Sequence, residues 1–395
     1  MVMEDTSQEF FESLCGRGAG DLWWGSSSPV FFRGLIVSEA FEALKREVKE
    51  LGVKKKDLVT GPGLSTGSTL LNLACSGRPE VGFPVGKYVL MVGDSDSGKS
   101  WCCLSFLAEA CRNKFFDDYD LIYDNVEHGN ISGCLPYFSC LEDRIELLGE
   151  EGQDPSSSSL ESFYEYIEDR LKKKSCVYIL DSMDSLIPEA DEDKMEEERA
   201  AREKGKESTG SYGTAKAKLN SSKIRVVSNL LDETKSILVT ISQTRDSIGF
   251  GAKFNPKTRS GGRALKFYSR LEFWMSVCGK IKKTVKGQDY QIGANLNAKV
   301  VKNHFTGWVG DVPLTFYRKF GIDDIGGNIQ YLLDVKYWKK DGSKIHAPEF
   351  DHNGTLENLV GKIEEGNTEW ILRELVATTW NEIEEACVVD RKCRY

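Results

Sequence analysis

Short, largely apolar runs recur through the middle of the chain: Tyr88 to Val92, Leu121 to Tyr123, Cys176 to Leu180, Ile237 to Ile241 and Leu271 to Val277, with helix-patterned stretches between several of them. Runs of this length predict strands buried on both faces, and so an α/β fold with a mostly parallel, twisted sheet and helices on both sides. An earlier Phe-containing run, Pro29 to Val37, precedes a helical pattern from Ser38 to Leu51 with Ser38 as N-cap. Residues 1–60 therefore read as an added N-terminal segment, taken as an oligomerisation segment, with packing on its own domain the alternative. Beyond Gly327, the stretch Val335 to Ile345 reads as a hairpin turning at Asp341-Gly342. Trp370, Ile371, Leu375, Trp380 and Ile383 then recur at roughly helical spacing, which predicts a core-facing stripe. The organisation expected is an N-terminal segment over 1–60, a core over 61–330 and a small C-terminal α+β domain over 331–395.

One motif gives the core its chemistry. Directly after the run Tyr88 to Val92 comes Gly93-Asp94-Ser95-Asp96-Ser97-Gly98-Lys99-Ser100, a match to G-x-x-x-x-G-K-[ST], followed by a helical stretch from Trp101 to Ala110. In this order the glycines let backbone N–H groups close around phosphates at a helix N-terminus. Lys99 supplies a point charge, and Ser100 offers a hydroxyl to Mg²⁺. A nucleoside triphosphate is the ligand this predicts. Asp181, ending the run Tyr178 to Leu180, falls at the C-terminal edge of the sheet, where a carboxylate holds the Mg²⁺ water shell. After Leu121 to Tyr123 the chain offers Asp124 and Glu127, either of which could take a proton from an attacking water; Glu127 is preferred and Asp124 is its rival.

Composition narrows the class. With 395 residues, 40% of them hydrophobic and 29% charged, the chain can bury a sizeable core and is not of the disordered type. None of the 11 cysteines is spaced C-x-x-C and the four histidines lie far apart, so reduced thiols are expected rather than disulfides or zinc. No apolar stretch reaches the ~18 residues that cross a bilayer, and the start Met1-Val2-Met3-Glu4-Asp5 is acidic, so no membrane contact and a cytoplasmic location are expected. The net charge of −9 argues against a general polyanion binder and places any DNA contact in local basic segments. One such segment runs from Thr244 to Lys266, with six basic residues against the single acid Asp246. Phe250 and Phe254 within it could stack on bases or pack on the protein. From Glu189 to Glu207, by contrast, nine acids meet five bases in a helix-forming composition, read as a solvated helix; the basic stretch Lys216, Lys218, Lys223 and Arg225 follows. Lys280, Lys282, Lys283 and Lys286 form a further basic cluster, equally well explained by a solvated β-turn.

Several blocks in a fixed order carry a resemblance. They are Gly61-Pro62-Gly63-Leu64-Ser65-Thr66-Gly67-Ser68, Ile241-Ser242-Gln243-Thr244-Arg245, Phe254-Asn255-Pro256, Gly261-Gly262-Arg263-Ala264-Leu265-Lys266-Phe267-Tyr268 and Ala298-Lys299-Val300-Val301-Lys302-Asn303. Over roughly residues 60–330 the chain resembles bacterial RecA, and its size with divergent ends is similar to the RecA-like recombinases of bacteriophages, the UvsX group. The resemblance implies a RecA-type P-loop ATPase core and an ATP-dependent homologous recombinase: a DNA-dependent ATPase that forms filaments on single-stranded DNA, pairs it with duplex and exchanges strands. ATP and Mg²⁺ are the implied cofactors. The implied partners are single- and double-stranded DNA, further copies of the chain, a single-strand-binding protein and a loading mediator; the location is the host cytoplasm if phage-encoded.

Residue by residue, the resemblance implies that Glu127 activates water, that Gln243 senses the γ-phosphate, and that Lys302 reaches a neighbouring subunit's ATP, with His304 where a second lysine is usual. The adenine-stacking aromatic is replaced by Cys134, with Tyr137 nearby. DNA-binding loops are implied at about 188–225 and 244–262, with Arg245, Lys253, Phe254, Lys257, Arg259 and Arg263 as contacts. Lys266, Phe267, Lys302 and His304 are the implied interface. A hexameric helicase on the same core and a non-catalytic recombination mediator are the competing classes.

Overall fold

In the computed structural model, residues 59–150, 154–203, 214–246, 257–259 and 262–391 are described below. The chain divides into two units, Met1–Lys56 and Asp57–Tyr395, and the first lies outside the described residues, as does almost all of the expected N-terminal segment.

The second unit is a mixed α/β structure with a large, mostly parallel sheet flanked by helices, consistent with a RecA-type core. A two-stranded ribbon, β1 (Gly63–Leu64) and β2 (Phe83–Pro84), brackets α1 (Thr69–Ser76). Then follow β3 (Lys87–Gly93), α2 (Lys99–Arg112), β4 (Asp120–Asn125), β5 (Ile145–Leu148), α3 (Leu160–Lys173) and β6 (Cys176–Asp181). Helices α4 (Glu189–Glu203) and α5 (Thr214–Thr234) lead to β7 (Ile237–Asp246), β8 (Lys257–Arg259) and α6 (Gly262–Tyr268). The long hairpin β9 (Leu271–Val285) and β10 (Gln288–Asn303) continues into β11 (Gly310–Tyr317) and β12 (Gly321–Ile322). The chain ends with α7 (Asp324–Asp334), a small sheet of β13 (Lys339–Asp341), β14 (Lys344–Ala347) and β15 (His352–Gly354), then α8 (Leu356–Glu365) and α9 (Glu369–Ala386).

Strand order in the large sheet is β12-β11-β10-β9-β3-β7-β6-β4-β5, with β8 pairing off β7. The pairs β9–β3, β3–β7, β7–β6, β6–β4 and β4–β5 are parallel. The five apolar runs of the sequence fall in five of these six parallel strands, all but β5. Alternation inside them feeds two cores. Tyr88, Leu90, Val92, Ile122, Tyr178 and Leu180 pack with Phe163 and Ile167 of α3, Val227 and Leu231 of α5 and Leu265 of α6. The alternate residues Val89, Met91, Tyr123, Ile179 and Val239 are equally buried and turn to the other face, where α2 lies against β3 and β6.

Three sequence expectations are corrected. The stretch 188–225 is not one loop: α4 and α5 occupy both sides of residues 204–213, which lie outside the described residues. The acidic half is indeed a helix with Glu192 to Glu197 exposed. Its basic sequel is partly spent inside the protein, because Lys216 donates to the carbonyls of Met183 (2.8 Å), Asp184 (3.2 Å) and Leu186 (2.6 Å), and Lys223 pairs with Glu168 at 3.2 Å. The stripe on α9 is only half internal: Ile371 and Leu375 are buried, whereas Trp370 and Ile383 are exposed and Trp380 lies against Trp308 and Tyr331. Helix α7 runs across the expected boundary at residue 330. The expected hairpin turn at Asp341-Gly342 joins β13 to β14.

Candidate nucleotide-binding site

The register of the parallel strands decides what meets at their C-terminal ends. Gly93 pairs with Gln243, and Asn125 with Asp181, so the phosphate loop, the end of β7, the end of β6 and the turn after β4 share one edge. They line a cavity of about 840 Å³ that takes in Ser95 through Trp101, Glu127, Asp181 and Gln243.

Two glycines have no substitute here. Gly98 holds φ +84° as the N-cap of α2, and a Cβ on it would stand 2.8 Å from Leu296 Cδ1. A Cβ on Gly93 would meet Ser97 Oγ at 2.5 Å and the Met275 carbonyl at 2.7 Å. At these two positions the loop can form only as bare backbone. Lys99 is buried, and its ammonium donates to the carbonyls of Gly93 (3.0 Å) and Asp94 (2.5 Å) and to Ser97 Oγ (3.3 Å). Burial pushes its pKa below the usual lysine value, while the charges of Asp181 and Glu127 act against the shift. Ser100 Oγ donates to Asp181 Oδ2 at 2.8 Å, and the Tyr123 hydroxyl donates to the same oxygen at 2.5 Å. Burial raises the Asp181 carboxyl, and these two hydrogen bonds draw it back. A hydroxyl and a carboxylate oxygen in contact beside a phosphate loop are the hard donor set that Mg²⁺ takes, so the residues fit that ion.

The two candidate bases separate cleanly. Asp124 is fully buried, accepting from Ser157 N (3.1 Å), Ser157 Oγ (2.5 Å) and Tyr178 OH (2.7 Å), and burial holds its carboxyl above the usual range. It faces the core. Glu127 faces the cavity; its Oε1 accepts from Gln243 Nε2 at 2.8 Å and from Ser182 Oγ, and its backbone N–H donates to the Asp181 carbonyl at 3.0 Å. Gln243 is itself anchored, its N–H donating to Asp184 Oδ2 at 2.6 Å. The next residue, Thr244, donates through its hydroxyl to Asp94 of the phosphate loop.

Beyond Thr244 the expected DNA loop begins as a hairpin, with Thr244 opposite Arg259, Arg245 opposite Thr258 and Asp246 opposite Lys257. Arg245 and Arg263 are exposed; Phe250, Lys253 and Phe254 lie outside the described residues, and Lys257 and Arg259 are placed in backbone only. The four interface candidates gather at the C-terminal end of α6. Lys266 and Phe267 are exposed there, Phe267 by 72%. Lys302 donates to the carbonyls of Lys266, Phe267 (3.0 Å) and Ser269 (2.5 Å). The backbone N–H of His304 donates to the Arg270 carbonyl at 2.8 Å, and burial, then the charges of Lys302 and Arg270, push its ring pKa down. None of the four lines the cavity in its own chain.

Sequence reasoning missed part of the lining. Lys280 of β9, Leu296 of β10, Phe316 of β11 and Arg318 just after β11 line the cavity beside the phosphate loop. Lys280 belongs to the basic cluster that a solvated β-turn explained equally well; the turn itself is Lys286-Gly287 at the hairpin tip, with both residues at positive φ. Trp101, treated only as the start of a helix, lines the cavity with its ring centroid 5.0 Å from that of Phe316 and 5.4 Å from Phe138. Cys134 lines the cavity too, while Tyr137 reaches it only through Trp101, at 6.0 Å.

Comparison with known proteins agrees with this geometry. The RecA N-terminal domain family matches residues 156–322. The chain is similar to Protein RecA of Streptococcus agalactiae serotype III (strain NEM316), with 27% identity over 288 residues covering 71% of this chain and 67% of the relative. Protein RecA of Streptococcus mutans serotype c is 29% identical over 288 residues, covering 71% and 66%. Protein RecA of Clostridioides difficile (strain 630) is 27% identical over 319 residues, covering 78% and 80%. Over most of its length, then, the chain is similar to RecA proteins.

Proposed function

We propose that the chain is an ATP-dependent homologous recombinase, which polymerises on single-stranded DNA and exchanges strands with a homologous duplex. The observation that carries this reading is the position of Gln243. Its side chain holds the catalytic candidate Glu127 while its backbone leads directly into the basic hairpin, so one residue is common to the nucleotide edge and the DNA segment. The phage type rests on the divergent ends of the chain, and the cytoplasm is its place of action.

The chemistry follows from the residues. Lys99 leaves its loop carbonyls for the β- and γ-phosphates, and loop N–H groups neutralise the same oxygens. Mg²⁺, held by Ser100 with Asp181 behind it, would supply charge neutralisation on those oxygens. Glu127 takes a proton from water as its oxygen attacks the γ-phosphorus, and the bond to the ADP oxygen breaks. Gln243 turns from Glu127 to the γ-phosphate when ATP binds, which frees the base and repositions the hairpin; cleavage reverses both. Phosphate contacts by Arg245, Arg263 and the rest of the basic segment give salt-dependent, sequence-tolerant binding.

Electron microscopy with single-stranded DNA and a slowly hydrolysed ATP analogue, beside a nucleotide-free control, tests the proposal. Helical filaments that need nucleotide support it; closed rings would favour a helicase, and dispersed particles a mediator. In the same preparation Lys99→Ala abolishes DNA-stimulated ATP turnover, and normal turnover in that variant would remove the phosphate-loop assignment.

A further inference from the structure

Two thiols that the nucleotide chemistry does not use stand together on the back of the site. Cys111 is the penultimate residue of α2, and Cys140 lies in the short 3-10 turn Ser139–Leu141, 29 residues later. The Cys111 thiol donates to the Cys140 carbonyl at 2.9 Å, and the Cys140 thiol points back at the Ala108 carbonyl of α2, 4.0 Å away. Cys140 is exposed and Cys111 half-buried.

The segment between them is a wall of the cavity. Gly129, Asn130, Ile131 and Cys134 line it, and Tyr137 and Phe138 lie against Trp101 at the other end of α2. The wall is thus fastened to α2 by aromatic contacts near the phosphate loop and by the cysteine pair ten residues further on.

We propose that Cys111 and Cys140 form a site of reversible oxidation, whose disulfide clamps this wall to α2. A peroxide is the oxidant class. The Cys140 thiolate attacks one peroxide oxygen; the O–O bond breaks, the other oxygen leaves as water, and a sulfenic acid forms. The Cys111 sulfur then attacks the sulfenic sulfur, the S–O bond breaks, and hydroxide takes the Cys111 proton to leave as a second water. Two thiols lose two electrons and the peroxide gains them. Burial, then the charge of Cys140, pushes the Cys111 thiol up to about 11, so the second step quickens as pH rises. Formation of the bond is independent of the nucleotide reading; only its effect on nucleotide exchange rests on it.

The test exposes the reduced full-length chain to a small excess of hydrogen peroxide, quenches it with an alkylating agent and maps the peptides by mass. The expected product joins the Cys111 and Cys140 peptides, lighter by two hydrogens, is reversed by dithiothreitol, and is absent from Cys111→Ser and Cys140→Ser. Consumption of the exposed thiols Cys278 and Cys387 with Cys111 still open to alkylation would overturn the proposal, as would Cys140 ending as a sulfinic acid in the native chain. Release of a fluorescent ATP analogue is then compared in the oxidised and reduced chain. Several-fold slower release after oxidation, unchanged in Cys111→Ser, supports the clamp; equal release with the bond in place removes it. Failure to bind the analogue in either state would count against the nucleotide reading and leave the mapped bond standing.

Discussion

Trp101 is the residue at which this site departs from what its motifs announce. Cys134 stands where the RecA resemblance places an aromatic for adenine, and a thiol offers no stacking face. Trp101 offers one, already held by Phe316, Phe138 and Tyr137 and open to the cavity. Base stacking on an aromatic ring is worth about 1–3 kcal/mol by alanine substitution. Trp101→Ala should therefore weaken nucleotide affinity about tenfold or more, since 1.4 kcal/mol is a factor of ten, with kcat at saturating ATP less affected. Titration of a fluorescent ATP analogue reads this, and an unchanged Kd in a folded variant would return the role to Tyr137. The phosphate loop, Asp181 and Gln243 were legible in the sequence because each is fixed by its neighbours in the chain. Glu127 was preferred there with Asp124 as its rival, and what separates them is structural: Asp124 is on β4, on the face it shares with Tyr178, whose hydroxyl is 2.7 Å away, whereas Glu127 lies in the turn after that strand. Trp101 was hidden for a related reason: what makes it part of the site is Phe316, more than 200 positions along the chain.

At the scale of elements, the short helix α6 shows how a residue with an expected role between subunits also has one within its own. Helix α6 has seven residues, fewer than a helix needs to persist unaided, and its last carbonyls lie beyond the helix's own N–H donors, with Ser269 Oγ donating to that of Lys266 at 3.1 Å. Lys302, from the end of β10, supplies a positive charge and three donors to those carbonyls and the one after them. Hydrogen bonds from a charged group contribute about 1.5–3 kcal/mol each at best, less where water competes. Lys302→Met should lower unfolding stability by about 1–2 kcal/mol, measured by urea denaturation at protein concentrations too low for assembly. Full stability in that variant, with loss only of DNA-stimulated turnover, would show that the lysine acts between subunits alone. Elements were most legible where burial is two-sided, as in β3, β4, β6 and β7. They were least legible where one sequence signal fits two structures: the arms of the β9–β10 hairpin run on past the apolar run, through the lysine cluster. The stripe on α9 misled because a helical period says which residues share a face, not how far along the helix that face stays covered; Ile371 and Leu375 are covered and Ile383 is not.

For the molecule as a whole, the covered faces of the sheet carry an unusual load of weak acids. Cys75, Cys102, Cys103 and Cys176 are buried, and burial raises all four thiols, Cys102 and Cys176 to about 12. Tyr123, Tyr164 and Tyr178 are raised in the same way. The unfolded chain releases these protons near 8.5 for thiols and near 10 for phenols, while the folded chain retains them. Between those values and the raised ones the native state binds more protons than the unfolded state, so stability is intact below about pH 8.5 and is lost as pH rises. Each group contributes at most about 1.4 kcal/mol per pH unit. The four thiols together therefore set a limiting slope of about 5 kcal/mol per unit, before the tyrosines add theirs above pH 10. Urea unfolding under reducing conditions, repeated from pH 7.5 to pH 10.5, should give a flat plateau followed by a steep fall. Cys102→Ala leaves a small gap on the buried face of α2 and costs stability at every pH, but it removes one titrating group, so its curve should fall less steeply, by up to about 1.4 kcal/mol per pH unit. A native chain whose stability stays level to pH 10.5 would mean that these thiols reach water in the folded state, and a variant whose curve runs parallel to the native one would mean that Cys102 in particular does.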